Sequence, residues 1–443
     1  MKKFMRKAKE IVNNKTVMKK LGFTLLILAL YRLLTFIPLP FMNVETLGTL
    51  MDGTLESSAA GGFGYLVMLM GGALSHFSII VIGVSPYITS SIIIQLLSSV
   101  IPSLEELTEQ GEVGQAKINQ YTRYLTLPMA FLQGIGMTFI MNSMLQGGAV
   151  EVSFLNLVLV GLVLATGSIL LMWLGEMITE KGISNGISML IFASIVTGIV
   201  QKVYSSFSGG DNWLGVLLFM LLIVVVLIVL SIFILKSTKE IPVVYARSGK
   251  IQQSSILPLP LNPVGMVPII FAMAFVSFPY LISQFVAQFQ PWNEKIQAIA
   301  EWIQLNLNIY SDNPGMFAII LYVIFIVAFT FLYTLIMFSP DRISDNIQKK
   351  WGFIPGVRPW KATSSYINGI LMHLCLRGGI GLAIIAIYTY ILNWIPWLTS
   401  IAQSLGGMPT IVAGSGIFII VGVVQDLINK VDTELVMAKY EKY

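Results

Sequence analysis

Few residues in this chain of 443 could do chemistry, and their spacing argues against catalysis. Its two histidines, His76 and His373, form no H-E-x-x-H pair that could hold a zinc ion and a general base on one helix face. No G-x-x-x-x-G-K-[ST] loop is present, so the chain has no phosphate cradle with which to hydrolyse a nucleotide itself. Gly414-Ser415-Gly416 lacks the G-x-S-x-G spacing of a serine nucleophile and has no base close in sequence, so it reads as a small-residue packing site. Cys375 is the only cysteine and can form no intrachain disulfide. No catalytic residue, metal set or cofactor is expected.

The remaining candidates are charges set in apolar surroundings. Arg32, Glu176 and Arg377 fall inside apolar stretches, and Asp426 lies near the end of one. Ionisable residues at membrane depth ordinarily mark a substrate or proton path. Glu176 and Asp426 sit toward cytoplasmic span ends, and Arg32 and Arg377 are expected to pair with polar groups or reach an interface. An ion-coupled transporter would place acids at midspan. These stretches instead carry Thr89, Gln95, Gln133 and Asn185, which are polar and uncharged.

The elements that must position these residues are membrane spans. The chain is 56% hydrophobic and 11% charged, with a mean hydropathy of +0.80. Soluble domains carry roughly 25% charged residues, so this one lacks the polar surface to face water all round. Apolar runs near 21–41, 77–100, 124–145, 153–175, 183–204, 213–236, 264–286, 315–338, 367–391 and 408–428 each approach the ~20 residues that cross a bilayer. The first is expected to be retained behind a basic tail, residues 1–20, because no small-residue cleavage site follows it. Lys and Arg concentrate in the tail, in the loops 101–123, 237–263 and 339–366, and after residue 428, whereas the alternate segments hold acids with only Lys202 and Lys295. Both termini are therefore expected in the cytoplasm. Two halves, 21–204 and 205–428, would each hold five spans and so be inverted relative to one another, followed by a cytoplasmic tail, 429–443.

Two segments break this pattern. The stretch from Gly61 to Gly72 is apolar, bracketed by glycine and too short to span; composition alone favours an amphipathic piece lying on the membrane surface over a re-entrant one. Gly83-Val84-Ser85-Pro86 should kink the second span. Among the loops, the alternation in Lys239 to Arg247, with a second extended run after Gln252, predicts a projecting hairpin. Phe353 to Pro359 reads as a rigid turn presenting Arg358. Together these loops suggest a docking surface.

At these motifs the chain resembles the SecY family almost end to end. The stretches that carry the resemblance are Tyr31-Arg32 with Phe36 to Pro40, Gly71 to Ser75, and Gly83 to Leu97 (GVSPYITSSIIIQLL). They continue with Gly111 to Gly114, Gln120 to Tyr124, Met172 to Phe192 (MWLGEMITEKGISNGISMLIF), Ile241-Pro242 with Tyr245-Ala246, and Leu257 to Ala272 (LPLPLNPVGMVPIIFA). The last are Ser339-Pro340-Asp341, Gly352 to Pro359 and Ile419 to Val423. Departures from the family pattern are Trp360 where glycine is usual, Gln115 and Glu240 where basic residues are usual, and Val412 to Gly416 in place of G-G-T-S. They bear on partner affinity more than on fold.

The resemblance implies an all-α polytopic membrane protein of about ten transmembrane helices in two inverted five-helix halves with a short plug helix. It implies a protein-conducting channel that moves unfolded secretory polypeptides across the bacterial plasma membrane and releases membrane-protein helices laterally. Pore-ring positions map onto Val84, Ile88, Ile187, Ile191, Ile270 and Ile419, although by spacing alone such aliphatics are ordinary helix packing. The plug would be about 61–72, with Gly61, Gly62, Phe63, Leu66, Leu69, Gly71 and Gly72. Thr89, Gln95 and Gln133 would lie on a lateral gate, and Arg247, Lys250 and Arg358 on the docking surface. Implied partners are SecE-like and SecG-like subunits, the SecA motor ATPase, ribosomal RNA, signal sequences, nascent chains and the lipid bilayer. The alternative reading is a secondary transporter with inverted repeats.

Overall fold

In the computed structural model, residues 10–40, 78–144, 154–207, 213–245, 253–289, 294–307, 315–338, 340–358, 360–394 and 414–440 are described. Each expected span falls on a helix. These are α1 (Lys15–Leu34), α2 (Ser85–Ser98), α4 (Glu112–Met144), α5 (Phe154–Lys181), α6 (Gly186–Phe207), α7 (Trp213–Lys236), α8 (Val267–Phe289), α10 (Met316–Met337), α12 (Lys361–Trp394) and α13 (Gly414–Tyr440). Shorter helices accompany them, among them α3 (Pro102–Glu109), α9 (Glu294–Leu307) and α11 (Pro340–Lys349). Among the described residues, four helices are long and apolar enough to cross a membrane, or five if the bent pair α2–α3 is one span.

The chain divides into two compact units, one of Met1–Trp213, Ser277–Gly315 and Val423–Tyr443, the other of Leu214–Val276 and Met316–Gly422. Inside the first, α5 is the central helix. A Cβ at Gly167 would lie 2.0 Å from the Ile79 carbonyl oxygen, and one at Gly186 would lie 1.8 Å from that of Gly175. Hydrogen at these two positions is what lets α5 meet the 78–84 turn on one side and the start of α6 on the other. Asn14 caps α1, its Oδ1 accepting from the backbone N–H groups of Thr16 and Val17 at 3.1 and 3.4 Å. Higher on α1, the buried Tyr31 hydroxyl bonds Ser194 Oγ on α6 at 2.6 Å. At its base, Val17 packs with Ile183, Val431 and Leu435 beside a Lys20–Glu434 ion pair at 2.5 Å, which ties α13 to α1.

The segment expected to kink the second span ends it instead. Residues 78–84 form turns, Gly83 has a φ of +66°, and α2 begins at Ser85 with Pro86 in its first turn. Proline is tolerated there because the first N–H groups of a helix have no intrahelical partner. The turn is held by Ser168 Oγ of α5, which donates to the Gly83 carbonyl at 2.9 Å. At the other end α2 stops at Ser98, and Pro102 opens α3 at 105° to it.

In the second unit the expected hairpin is present. β1 (Thr238–Tyr245) pairs antiparallel with β2 (Gln253–Pro260), from Thr238 opposite Pro260 to Tyr245 opposite Gln253. A third strand, β3 (Gly352–Phe353), joins the other edge of β1 through Val244–Phe353 and Tyr245–Gly352. The membrane part is marked by edge-to-face packing of Phe271 on α8 against Phe329 and Tyr333 of α10, at 5.8 and 5.7 Å.

Candidate channel residues and docking platform

The best-defined candidate site is built where the two expected cytoplasmic loops meet. Ile241 and Val243 from β1, Leu259 from β2, Ile347 from α11, Ile354 from the turn after β3, and Ile367, Leu371 and Leu374 from α12 form one buried core. The inward residues of β1 alternate, as a strand with one solvated face requires. The two loops are therefore a single platform standing on the foot of α12. Ser344 Oγ on α11 donates to the Trp360 carbonyl at 3.2 Å, and Ser364 Oγ on α12 donates to Asp341 Oδ1 at 2.5 Å, fastening α11 to α12.

Arg358 is exposed on this platform. The turn below it closes through Val357 N–H to the Ile354 carbonyl at 3.1 Å, with Gly356 at a φ of +83°. Ile354 is 2% exposed and anchors the turn, and Thr363 Oγ1 donates to the Arg358 carbonyl at 2.9 Å. Two exposed tryptophans flank the turn in left-handed backbone, Trp351 at a φ of 56° and Trp360 at 78°. A side chain there costs roughly 1–2 kcal/mol relative to the right-handed region. Sequence reasoning noted Trp360 as a replacement for glycine; the backbone explains why glycine is suited to that position. Arg247 and Lys250 lie outside the described residues, as do all the plug positions from Gly61 to Gly72.

The ring positions fall into two sets. In the first unit, Val84 is the residue from which α2 starts, and its carbonyl accepts from Ile88 N–H at 3.1 Å. Ile187 lies against the Gly175 surface of α5, where a Cβ would approach its Cδ1 to 2.5 Å, and Ile191 follows one turn later on α6. All four are half-buried. In the second unit, Ile270 on α8 is half-buried, whereas Ile419 on α13 is 1% exposed.

Of the residues expected at a lateral gate, Thr89 Oγ1 donates to the Ser85 carbonyl of its own helix at 3.0 Å, and Gln95 Nε2 donates to Ser91 Oγ at 3.3 Å. Among the described residues, Gln95 Oε1 is buried without a hydrogen-bond partner, as is Ser90 Oγ on the same helix. Gln133 on α4 is half-buried. This leaves α2 with polar atoms that its present neighbours do not satisfy.

The charges resolve differently from one another. Glu176 on α5 accepts from Arg123 Nε on α4 at 2.7 Å, a pair that sequence reading missed because the residues come from separate segments. Tyr87 on α2 lies within the field of both. Arg32 stacks over the Phe36 ring at 5.0 Å. Arg377 is exposed on α12 and forms no ion pair among the described residues, while the adjacent Gly378 abuts Leu261 at the end of β2. No cluster of metal-ligating side chains occurs among the described residues.

The SecY family model matches residues 78–428. The protein translocase subunit SecY of Bacillus licheniformis is 37% identical, over 97% of this chain and 97% of its own. Two solved structures share the fold. One is described as a protein conducting channel, with a TM-score of 0.59 and 18% identity over 96% of this chain and 94% of the other. The second is Sec61 in a canine ribosome-channel complex from the endoplasmic reticulum, with a TM-score of 0.57 and 17% identity over 96% and 94%.

Proposed function

The chain belongs to the SecY family, and from that premise we propose that it is the central subunit of a protein-conducting channel. Its task is to pass unfolded secretory polypeptides across the bacterial plasma membrane and to release apolar helices sideways into the lipid. The observation that carries this reading is similarity to a translocase subunit along 97% of both chains, loops included. With no nucleotide-binding loop in its sequence, the channel subunit is driven from outside, by a SecA-type motor or by a translating ribosome. Both termini and the platform face the cytoplasm, where Lys and Arg concentrate. SecE-like and SecG-like subunits complete the assembly.

Each part of the mechanism has named residues. Val84, Ile88, Ile187, Ile191, Ile270 and Ile419 form a dewetting ring, because branched aliphatics expel water from a narrow pore yet deform around a peptide. The segment 61–72 is the plug that seals it. Thr89, Gln95 and Gln133 line a seam that a signal sequence parts. The unsatisfied Gln95 Oε1 and Ser90 Oγ favour this role, since a seam with unmet hydrogen bonds opens at less cost. Arg358, with Arg247 and Lys250, receives the motor or ribosomal RNA; a guanidinium fork suits both carboxylates and phosphates.

The test is transport in proteoliposomes that hold the chain with its small membrane subunits. A preprotein should become protease-resistant when motor and ATP are supplied. Saturable uptake of a small solute with no protection of preprotein would replace this reading with a transporter.

A further inference from the structure

The connection between the spans α8 and α10 carries α9, the 14 residues Glu294–Leu307. Four residues separate Phe289, the end of α8, from Glu294, so the start of α9 lies within about 18 Å of that span end. Its last turn abuts the residue that precedes α10: a Cβ at Gly315 would lie 3.3 Å from the Asn306 carbonyl oxygen. A helix about 21 Å long, tethered in this way at both ends, cannot reach far into water. Its surface divides into three strips. Glu294, Gln297, Glu301 and Gln304 recur at i, i+3, i+7 and i+10 and make one polar edge. Ile296, Ala300, Ile303 and Leu307 make a second, turned into the protein, with Ala300 2% and Leu307 8% exposed. The third strip is also apolar, yet its members Ile299, Trp302 and Leu305 are 53% to 76% exposed.

We propose that α9 lies flat in the membrane–water interface opposite the platform, with Ile299, Trp302 and Leu305 set among phospholipid headgroups and the first acyl carbons. A helix at the rim of a membrane protein needs one strip each for water, protein and lipid, and α9 has the three. The position fits, because the connection runs between two span ends and so holds the strip at headgroup height. Trp302 at the centre of the strip suits that height, where an indole keeps its ring in apolar surroundings and its N–H among polar groups. Lys295, in the first turn, can lay its stem along the strip and keep its ammonium among the phosphates. Glu294 and Glu301 would be repelled by anionic headgroups, so the contact rests on the apolar strip and needs no anionic lipid. The proposal requires only that α8 and α10 span the membrane, and its failure would leave the channel reading untouched.

The experiment measures depth with spin labels on the full-length chain, reconstituted with its small membrane subunits in phosphatidylcholine vesicles. Single cysteines replace Glu294, Ile299, Glu301, Trp302 and Leu305 in turn in a Cys375→Ala background. Labels at Ile299, Trp302 and Leu305 should collide more with oxygen than with a water-soluble nickel chelate, at a depth of about 5–10 Å, and those at Glu294 and Glu301 should show the reverse. Leu305→Glu should shift the label at Trp302 toward the nickel side. A label at Ala298, on the edge of the same strip, repeats the reading if the Trp302 variant does not assemble. Adding phosphatidylglycerol should not deepen the labels. Nickel-dominated collisions at every position would show α9 standing in water and overturn the proposal. Low collision with both reagents at Ile299, Trp302 and Leu305 would overturn it too, because protein would then cover the strip.

Discussion

Arg358 is held by the backbone of its turn and by Thr363 Oγ1, which donates to its carbonyl at 2.9 Å. Gly356 permits the reversal, and buried Ile354 fixes the turn to the platform core. The guanidinium is thus presented at little ordering cost. Arg358→Glu should leave insertion and stability intact and abolish motor-driven transport, measured as ATP-dependent preprotein protection in vesicles with equal amounts of each variant. Full transport would remove Arg358 from the proposed docking surface. Trp360 behaves in the opposite way, since it carries a large exposed side chain at a φ of 78°. Trp360→Gly should relieve strain and stabilise the purified protein by about 1 kcal/mol. Trp360→Ala should recover much less, because alanine keeps the Cβ that opposes left-handed backbone. Thermal unfolding of the three proteins side by side checks both expectations, and equal midpoints for the alanine and glycine variants would show that the backbone is not the cause.

The helices were legible because each needs only a run of apolar residues long enough for the bilayer, and the hairpin because β1 alternates. What could not be read was tertiary or too short to have a period. β3 has two residues, so nothing in its sequence announces pairing with Val244 and Tyr245. Arg123 and Glu176 are 53 positions apart and meet only because α4 and α5 pack. The aliphatics proposed for the ring look like any helix-packing residues, and only the family resemblance singled them out. Glycine spacing likewise hid the crossing of α5 and α6, where a Cβ on Gly186 would lie 1.8 Å from the Gly175 carbonyl oxygen. Gly186→Ala should therefore push the helices apart and destabilise the protein by about 1–3 kcal/mol, or more if the backbone cannot move. Gly369→Ala is the control, since a Cβ there meets nothing within 4 Å and alanine favours a helix interior. Protease resistance of the two variants in lipid nanodiscs separates them. Equal resistance would mean the crossing tolerates a methyl group.

A channel that passes polypeptides must still hold ions back at rest, and the two requirements conflict unless the barrier is soft. A ring of branched aliphatics meets both demands, because water leaves a narrow apolar pore spontaneously while the side chains can yield around a chain. The barrier is then the cost of wetting, and polar atoms at the ring should lower it. Ile191 and Ile419 make the sharper test, since Ile191 is half-buried on α6 and Ile419 is 1% exposed on α13. Ile191→Asn should make the resting channel conduct ions and accept preproteins with defective signal sequences. Ile419→Asn should do the same and also lower stability, because an amide in so enclosed a position leaves hydrogen bonds unmet. Deleting 62–70 should give the leak without that loss. Single-channel recording across planar bilayers reads the conductance, and transport of a signal-defective preprotein reads the stringency. If all three variants stay silent and stringent, the ring and plug do not form the seal. If Ile419→Asn destabilises without leaking, Ile419 belongs to the packing of α13 and the constriction is formed by the remaining positions.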